Sequence, residues 1–139
     1  MKCPKCQSCD SKVIESRDVA GGDSIRRRRE CEQCSTRFTT YERVERPHLT
    51  VVKKGGVREL FDRNKVLAGI ERASEKTTIS APEREEMVAR IEQALYDLGK
   101  PEVSAKDIGE LVMEELAKAD EVAYVLFASV YRHFTSIKS

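Results

Sequence analysis

The chain has 139 residues, of which 40% are hydrophobic and 35% charged, and its formal net charge is +1. This length fits one ordinary domain, or two small ones of which one is stabilised by a metal. No apolar stretch approaches the roughly 18–20 residues that a membrane span needs, and the start Met1-Lys2-Cys3 lacks the apolar region of a signal peptide. We therefore expect no membrane association and a cytoplasmic location, where an odd number of cysteines in Cys-x-x-Cys pairs favours metal binding over disulfides.

Basic residues are concentrated in the first third of the chain. Residues 1–48 carry 11 Lys/Arg against 8 Asp/Glu, a net charge of +3, whereas residues 49–139 carry 14 against 16, a net charge of −2. This excess is modest, so any contact with nucleic acid has to come from a local patch.

Two Cys-x-x-Cys pairs, Cys3/Cys6 and Cys31/Cys34, lie 24 residues apart. Each pair places two sulfurs on one tight turn, and two facing turns form the tetrahedral all-sulfur shell that zinc prefers. Cys9 offers a second pairing with Cys6, but we favour Cys3/Cys6 because Pro4 stiffens that turn and Cys9 runs into polar turn residues. The pattern predicts one structural Zn²⁺ per chain, with Cys9 as a spare thiol.

Iron is the alternative metal for four thiolates and would imply electron transfer. Iron sites of that kind usually lie among apolar and aromatic side chains that set the potential. The neighbours here are polar, which favours zinc: Lys5, Gln7, Ser8, Glu32 and Gln33.

Residues 1–44 are predicted to form a zinc ribbon of short strands. The expected strands are residues 12–17, 25–30 and 38–44, with a turn at Gly21-Gly22-Asp23. A unit this small and polar should not fold without its metal. The few residues available for a core are Val13, Ile14, Ile25, Phe38 and Tyr41.

After a linker at residues 45–48, residues 49–139 are predicted to form a second domain, a β-hairpin with four helices. The hairpin pairs residues 49–53 with 57–61 around Gly55-Gly56. The helices are expected from Asp62 to about Lys76, from the capping box at Ser80 to Gly99, from Ser104, and from about Asp120. The last helix is apolar nearly all round, which predicts a place at the centre of the bundle. The expected class is α+β.

The run Arg26-Arg27-Arg28-Arg29 predicts contact with nucleic acid. On a strand, Arg26 and Arg28 share one face while Arg27 and Arg29 share the other, so only one pair can follow a phosphate backbone at a time. Guanidinium groups suit both phosphates and guanine edges, and Arg17 and Arg37 could widen the patch. The alternative is a solvated strand whose arginines are balanced by Glu15, Glu30 and Glu32.

The glycine hairpin and the helix after it form a candidate phosphate site. Lys65 falls near the third position of the helix, where the dipole is already positive, so an anion is its natural partner. The residues that could hold a triphosphate are Lys53, Lys54, Arg58 and Lys65, with Glu59 and Asp62 fixing the lysines or a Mg²⁺ ion. The alternative is a charged hairpin without a ligand. Tyr131 on the last helix could stack on a base, although filling the core is the favoured role.

Several segments occur together in a known arrangement. In the first part they are Cys3-Pro4-x-Cys6, Val13-Ile14-x-Ser16-Arg17, residues 25–31 followed by x-x-Cys34, and Arg37-Phe38-Thr39-Thr40-Tyr41-Glu42. In the second they are Val52-Lys53-Lys54-x-Gly56, Phe61-Asp62-x-x-Lys65, Ile108-Gly109-Glu110-Leu111-Val112 and residues 120–132. With these segments the chain resembles the bacterial NrdR regulators, repressors of ribonucleotide reductase operons in which a zinc ribbon precedes an ATP-cone.

The resemblance implies a zinc ribbon that binds double-stranded operator DNA and a cone that binds ATP or dATP, which selects the size of a homo-oligomer. It assigns Lys53, Lys54, Glu59, Asp62 and Lys65 to the nucleotide, with Tyr131 near the base; Arg58 comes from the charge argument alone. The chain departs from the family at Gln7 and Ser35, where a glycine often stands. It also departs at Lys54, where arginine is common.

Two other classes of function compete with a repressor. ATP-cones also precede the catalytic barrels of ribonucleotide reductases, but this chain has no room for a barrel before Ser139, so we expect no enzymatic activity. A ribbon could also grip an acidic protein or an RNA instead of DNA.

Overall fold

The computed structural model describes the backbone of residues 1–19 and 22–138 and the side chains of residues 1–19 and 22–131. Gly21 in the predicted turn and Ser139 at the end of the predicted second domain lie outside the described residues. The chain folds as two compact units, Met1–Arg46 and Pro47–Ser139. Short strands and four helices make up the described elements, which confirms the predicted α+β class. No helix in the described part of the chain combines the length and apolarity of a membrane span.

The first unit contains one antiparallel sheet in the order β1-β2-β3. Its strands are β1 Ser11–Val19, β2 Ser24–Cys31 and β3 Arg37–Arg43, so the arginine run lies on the central strand. A β-bulge interrupts the β1–β2 pairing between Val13 and Glu15. Strand β2 ends at Cys31, which joins the arginine strand directly to the second cysteine pair.

Two residues predicted for the core of this unit are on its surface. Val13 and Ile14 are each 42% exposed, so their assignment to a core was wrong. Among the described residues of the unit, no second layer of structure covers the sheet. The residues that are buried there are Cys3, Val19, Ser24 and Cys31. Two of the four are therefore cysteines of the predicted metal site.

The second unit combines a three-stranded sheet with four helices. Strands β4 Thr50–Val52 and β5 Arg58–Leu60 form the predicted hairpin, and β6 Glu102–Ser104 pairs with β4 in parallel. The helices are α1 Arg63–Ser74, α2 Ala81–Asp97, α3 Ala105–Ala119 and α4 Glu121–Lys138. Sequence reasoning missed β6 because a three-residue strand before a helix has almost no periodic signal.

Side-chain caps begin the first three helices where the sequence predicted them. The side chains of Asp62, Ser80 and Ser104 accept hydrogen bonds from backbone N–H groups in the first turns of α1, α2 and α3. These bonds satisfy N–H groups that have no partner inside a helix. At the end of α2, Gly99 adopts a φ of 66° and its N–H donates to the Tyr96 carbonyl oxygen, a stop that favours glycine.

The core of the second unit lies between its sheet and its helices, but α4 is not at its centre. Its buried members include Val51, Val103, Ile70, Ile91, Leu95 and Leu116. Helix α4 contributes Ala123 to this core, with Tyr124 and Phe127 packed against it. The prediction of a central helix was wrong, because a second apolar stripe is exposed: Val122, Val125, Leu126 and Val130.

Two glycines lie under aromatic side chains of α4. An added Cβ at Gly109 on α3 would lie 2.5 Å from Cε2 of Tyr131, whereas one at Gly69 on α1 would meet Phe127 at an ordinary 3.7 Å. The rings of Phe127 and Tyr131 are nearly parallel, with centroids 6.3 Å apart. Gly109 therefore lets the Tyr131 ring rest directly on the backbone of α3.

Gly69→Ala and Gly109→Ala should shift stability in opposite directions. Alanine in a helix gains about 1 kcal/mol over glycine, and Gly69 has room for the methyl group. At Gly109 the methyl group has to displace Tyr131, and overpacking costs about 1–3 kcal/mol. Thermal unfolding should show a higher Tm for the first variant and a lower one for the second. An equal rise in both would contradict the packing of Tyr131 on Gly109.

Candidate functional site

The four cysteines predicted to bind metal come together at one end of the ribbon. The sulfurs of Cys3, Cys6, Cys31 and Cys34 all lie within 4.8 Å of one another. Cys3 and Cys34 are 3.6 Å apart, and Cys6 and Cys31 are 3.5 Å apart. Tetrahedral zinc with Zn–S bonds of about 2.3 Å separates its sulfurs by about 3.8 Å, so the set fits the ion. Cys9 is exposed and lies outside this group.

The two cysteine turns have the same backbone hydrogen bonds. In the first, Cys3 N–H donates to the Ser8 carbonyl and Gln7 N–H to the Cys3 carbonyl. In the second, Cys31 N–H donates to the Thr36 carbonyl and Ser35 N–H to the Cys31 carbonyl. In each turn the N–H two residues after the first cysteine also donates to its sulfur, at 3.4 Å. Such donors favour the thiolate form that binds metal.

Left-handed backbone occurs in both turns where the family often has glycine. Gln7 has a φ of 68° and Ser35 a φ of 61°. A non-glycine residue in this region costs about 1–2 kcal/mol, whereas structural zinc contributes roughly 10–16 kcal/mol. Metal binding therefore outweighs the strain, and the two substitutions are compatible with a loaded site.

Thr36 is a neighbour of the site that the sequence did not point out. Its hydroxyl lies 3.1 Å from the sulfur of Cys34. Hydrogen bonds with the side chain and then the backbone of Thr36 are the main reason that the pKa of Cys34 is lowered to about 6, and the sulfurs of Cys6 and Cys3 add to it. Thr36 thus favours the thiolate through its side chain and closes the second turn through its carbonyl group. A threonine two residues after a Cys-x-x-Cys pair is too common a pattern to be recognised from one sequence.

The four arginines of β2 alternate between the two faces of the sheet, as predicted. Arg27 donates to Ser16 Oγ at 3.2 Å and Arg29 to Thr40 Oγ1 at 2.9 Å, on one face. Arg28 donates to Thr39 Oγ1 at 2.9 Å on the other face, which Arg26 shares. Hydroxyl groups of the neighbouring strands therefore hold three of the four guanidinium groups in place.

Arg17 and Arg37 are the other two predicted DNA contacts. They lie on the flanking strands β1 and β3, and their side chains are strongly exposed. Arg17 pairs with Glu15 at 2.8 Å, and Arg37 pairs with Glu30 at 3.2 Å. Surface pairs of this kind contribute about 0–1 kcal/mol. They leave both arginines able to exchange a carboxylate for a phosphate.

Three of the predicted nucleotide residues form one charged cluster beside the N-terminus of α1. Glu59 lies between Lys53 Nζ, at 3.2 Å, and Lys65 Nζ, at 3.3 Å. The hydrogen bond from Lys53 is the main reason that the pKa of Glu59 is lowered, and Lys65 adds to it. Two lysines share one carboxylate, so the cluster keeps a positive charge. The positive end of the helix dipole adds to it.

The other residues of the hairpin and helix start that were predicted to bind nucleotide differ in their position relative to this cluster. Asp62 caps α1, accepting from Asn64 N–H at 2.9 Å, and Lys54 is exposed beside Gly55 and Gly56 at the turn. Arg58 is not brought into the cluster. Successive strand residues face opposite sides, so Arg58 lies on the other face from Glu59, where it pairs with Glu102 at 3.1 Å. Glu102 belongs to β6, the strand that the sequence did not predict.

Tyr131 is packed against the first turns of α3. Its hydroxyl lies 3.5 Å from the carbonyl oxygen of Lys106, two residues beyond Ser104. Ser104 pairs with Val52, which directly precedes Lys53. Burial, followed by the charges of Glu110 and Asp107, raises the pKa of the Tyr131 hydroxyl. Packing against Gly109 leaves the ring half-buried rather than enclosed in the core.

Comparison with known families decides what the two units are. Residues 1–42 match a model described as the N-terminal domain of NrdR-like transcriptional repressors, and residues 49–137 match the ATP cone domain. The chain is also 56% identical over 137 residues to a protein named transcriptional repressor NrdR in Kosmotoga olearia, covering 99% of this chain and 87% of that one. The chain belongs to the NrdR family.

Other NrdR proteins are similar over the same length. Those of Synechococcus sp. strain CC9311 and of Streptococcus pneumoniae are 53% identical over 137 residues, again covering 99% of this chain and 87% of theirs. These relatives are named as transcriptional repressors, so NrdR is a family of regulators and not of enzymes. A zinc ribbon followed by an ATP-cone was the arrangement predicted from the sequence.

Cys6→Ser and Cys9→Ser should have different effects on metal content. Cys6 belongs to the four-sulfur group and Cys9 does not. We expect Cys9→Ser to keep one zinc per chain and Cys6→Ser to lose most of it, together with the β-sheet signal of residues 1–46. Elemental analysis and far-ultraviolet circular dichroism measure both effects. Zinc loss in Cys9→Ser alone would mean that Cys9, not Cys6, is the ligand, and iron in the purified protein would contradict a zinc site.

Proposed function

We propose that this NrdR protein represses ribonucleotide reductase operons by binding their operators through its zinc ribbons, under the control of ATP and dATP. One observation carries the proposal. A single chain holds an arginine strand joined to a four-thiolate group and, in its second unit, a lysine cluster at a helix N-terminus. The first suits a nucleic acid and the second a phosphate chain.

The ribbon supplies the DNA contacts of the proposed repressor. Its metal would join the turn before β1 to the turn between β2 and β3, and the arginines of β2 project from the central strand. A single small module buries only roughly 600–1,000 Å² on DNA, too little for specific affinity. Two or more ribbons therefore act together on paired half-sites, which requires a homo-oligomer.

The lysine cluster is the proposed phosphate site of the cone. Phosphate oxygens would replace Glu59 as partners of Lys53 and Lys65 and would lie against the positive end of α1. Glu59, once released, and Asp62, three residues further along the chain, would bind a Mg²⁺ ion that accompanies the phosphates. Lys54 at the glycine turn is in reach of the same phosphate chain, and Tyr131 supplies a ring near the base.

Helix α4 can connect nucleotide binding to assembly, since it carries two relevant features. Tyr131 packs on α3, the helix that follows β6, and β6 pairs with the strand that leads to Lys53. The exposed stripe of Val122, Val125, Leu126 and Val130 lies on the same helix. Burial of such a stripe against a second chain is favoured by about 25 cal/mol per Å². A nucleotide that shifts Tyr131 would change how α4 presents the stripe, and differential affinity for two assemblies then controls DNA binding.

Lys65→Gln should weaken nucleotide binding, and Arg58→Gln is its matched control. Both variants remove one positive charge from the same hairpin region, but only Lys65 lies in the cluster with Glu59. A charged hydrogen bond contributes about 1.5–3 kcal/mol, so we expect ATP to bind roughly 10- to 100-fold more weakly to Lys65→Gln. Isothermal titration calorimetry should show little change for Arg58→Gln. An equal loss in both would contradict a phosphate site that includes Lys65 and excludes Arg58.

Operator binding should depend on which nucleotide is present. We expect dATP, the signal of excess product, to tighten binding of the zinc-loaded protein to paired-site DNA from a ribonucleotide reductase promoter. ATP alone should leave binding weaker. Fluorescence anisotropy on this DNA and on random duplex measures the affinity, and mass photometry measures the assembly in each nucleotide state. Weak affinity that is the same for both DNAs and all nucleotide states would point instead to an interaction module for an acidic protein or RNA.

A further inference from the structure

The two faces of the ribbon sheet differ in charge, which the sequence run of four arginines does not reveal. Residues paired across β1, β2 and β3 share a face. Ser24 and Glu30 lie on the same face as Arg26 and Arg28, and so do the residues of β1 and β3 that pair with these four. We call it the basic face. The face of Arg27 and Arg29 is the mixed face.

The basic face carries six cationic side chains against two carboxylates. The carboxylates are Glu15 and Glu30, which pair with Arg17 and Arg37. The cations come from all three strands: Lys12, Arg17, Arg26, Arg28, Arg37 and Arg43. A single face of one small sheet thus holds a large excess of positive charge.

The mixed face carries no such excess among its described residues. Its two arginines are matched by Asp18 and Glu42, and Arg27 lies 3.9 Å from Glu42. Three apolar residues share this face: Val13 and Phe38, which both pair with Arg29, and Ile25, which pairs with Asp18 and Glu42. An apolar surface without net charge is a poor match for a phosphate backbone.

The arginines of the two faces make similar hydrogen bonds, but the net charge of the two faces differs. Arg28 on the basic face donates to a threonine just as Arg29 does on the mixed face. A guanidinium group has five N–H donors, so one such bond leaves several for DNA. Attraction to phosphates depends on the number of cations that reach them together, and the basic face presents three times as many as the mixed face.

Tyr41 restricts the side chain of an arginine on the basic face by stacking. The guanidinium carbon of Arg43 lies 4.8 Å from the centroid of the Tyr41 ring, and Tyr41 is the cross-strand partner of Arg26. Stacking of this kind restricts the arginine without neutralising it. The Nε atom of Arg26 is buried and has no hydrogen-bond partner, so its guanidinium is not committed to the protein through that atom.

We propose that the ribbon contacts DNA through the basic face, with Arg17, Arg26, Arg28, Arg37 and Arg43, and that Arg27 and Arg29 are not DNA contacts. The proposal rests on the DNA-binding function proposed above and specifies the surface that carries it. Arg27 and Arg29 instead stabilise the sheet through Ser16 and Thr40. Arg43 joins the DNA contacts although it lies outside the arginine run.

Two double variants of equal charge test this assignment in the full-length, zinc-loaded protein. Arg26→Gln with Arg28→Gln removes two positive charges from the basic face, and Arg27→Gln with Arg29→Gln removes two from the mixed face. Because phosphate contacts do not depend on sequence, a random duplex at low salt is a sufficient probe. Anisotropy titrations at several salt concentrations give the affinity and its salt dependence.

We expect the basic-face variant to bind at least about 10-fold more weakly and the slope of log affinity against log salt to fall by about 1.8 per ribbon. The mixed-face variant should change by less than about 3-fold. Zinc content and thermal unfolding, measured for both, identify a variant that has lost its fold. Should either fail to fold, Arg17→Gln with Arg43→Gln removes two exposed basic-face charges from the outer strands and is expected to show the same loss.

Each outcome decides between the alternatives. A loss confined to the mixed-face variant, or equal losses in two folded variants, would overturn the face assignment and leave DNA binding by the ribbon intact. Unchanged affinity in all folded variants would mean that the ribbon does not contact DNA, and the proposed function itself would fail. A loss confined to the basic-face variants supports the assignment.

Discussion

The four-sulfur group is the constraint on which the ribbon depends. The sheet β1-β2-β3 has no covering layer among the described residues, and two of its few buried side chains are Cys3 and Cys31. Apolar burial alone would contribute little, since Val13 and Ile14 are exposed. Metal bound by the four sulfurs would therefore supply most of the folding free energy. Because β2 ends at Cys31, the same bonds position the arginines that the strand carries.

The second unit is stabilised differently, and this frees its charged residues for binding. A continuous core between sheet and helices includes Ile70, Leu95 and Leu116. Caps at Asp62, Ser80 and Ser104 satisfy the helix starts. The cluster of Lys53, Glu59 and Lys65 lies at the edge of this framework, where its ion pairs contribute little to stability. An anionic ligand can therefore rearrange the cluster without unfolding the unit.

Helix α4 combines a side that packs on the core with a side that is apolar and exposed. Its inner side packs Ala123 and Phe127 on the core, and its outer side exposes four aliphatic residues. A sequence that is apolar nearly all round reads as a central helix, because periodicity cannot distinguish burial in the chain's own core from burial against a second chain. Tyr131, further along the same helix, contacts the first turn of α3.

The sequence by itself determined the local features: cysteine spacing, helix caps, the glycine turn and the alternation of arginines, because each depends on neighbouring residues and backbone geometry. It also supported the family, through motifs in a specific order. Only tertiary structure decided the pairing register, which places Arg43 with Arg26 and Arg17 on one face, and the pairing of Arg58 with Glu102 of β6. It likewise decided that Val13, Ile14 and the outer side of α4 are exposed. These features depend on contacts between residues distant in the chain, and such contacts leave no periodic signal in one sequence.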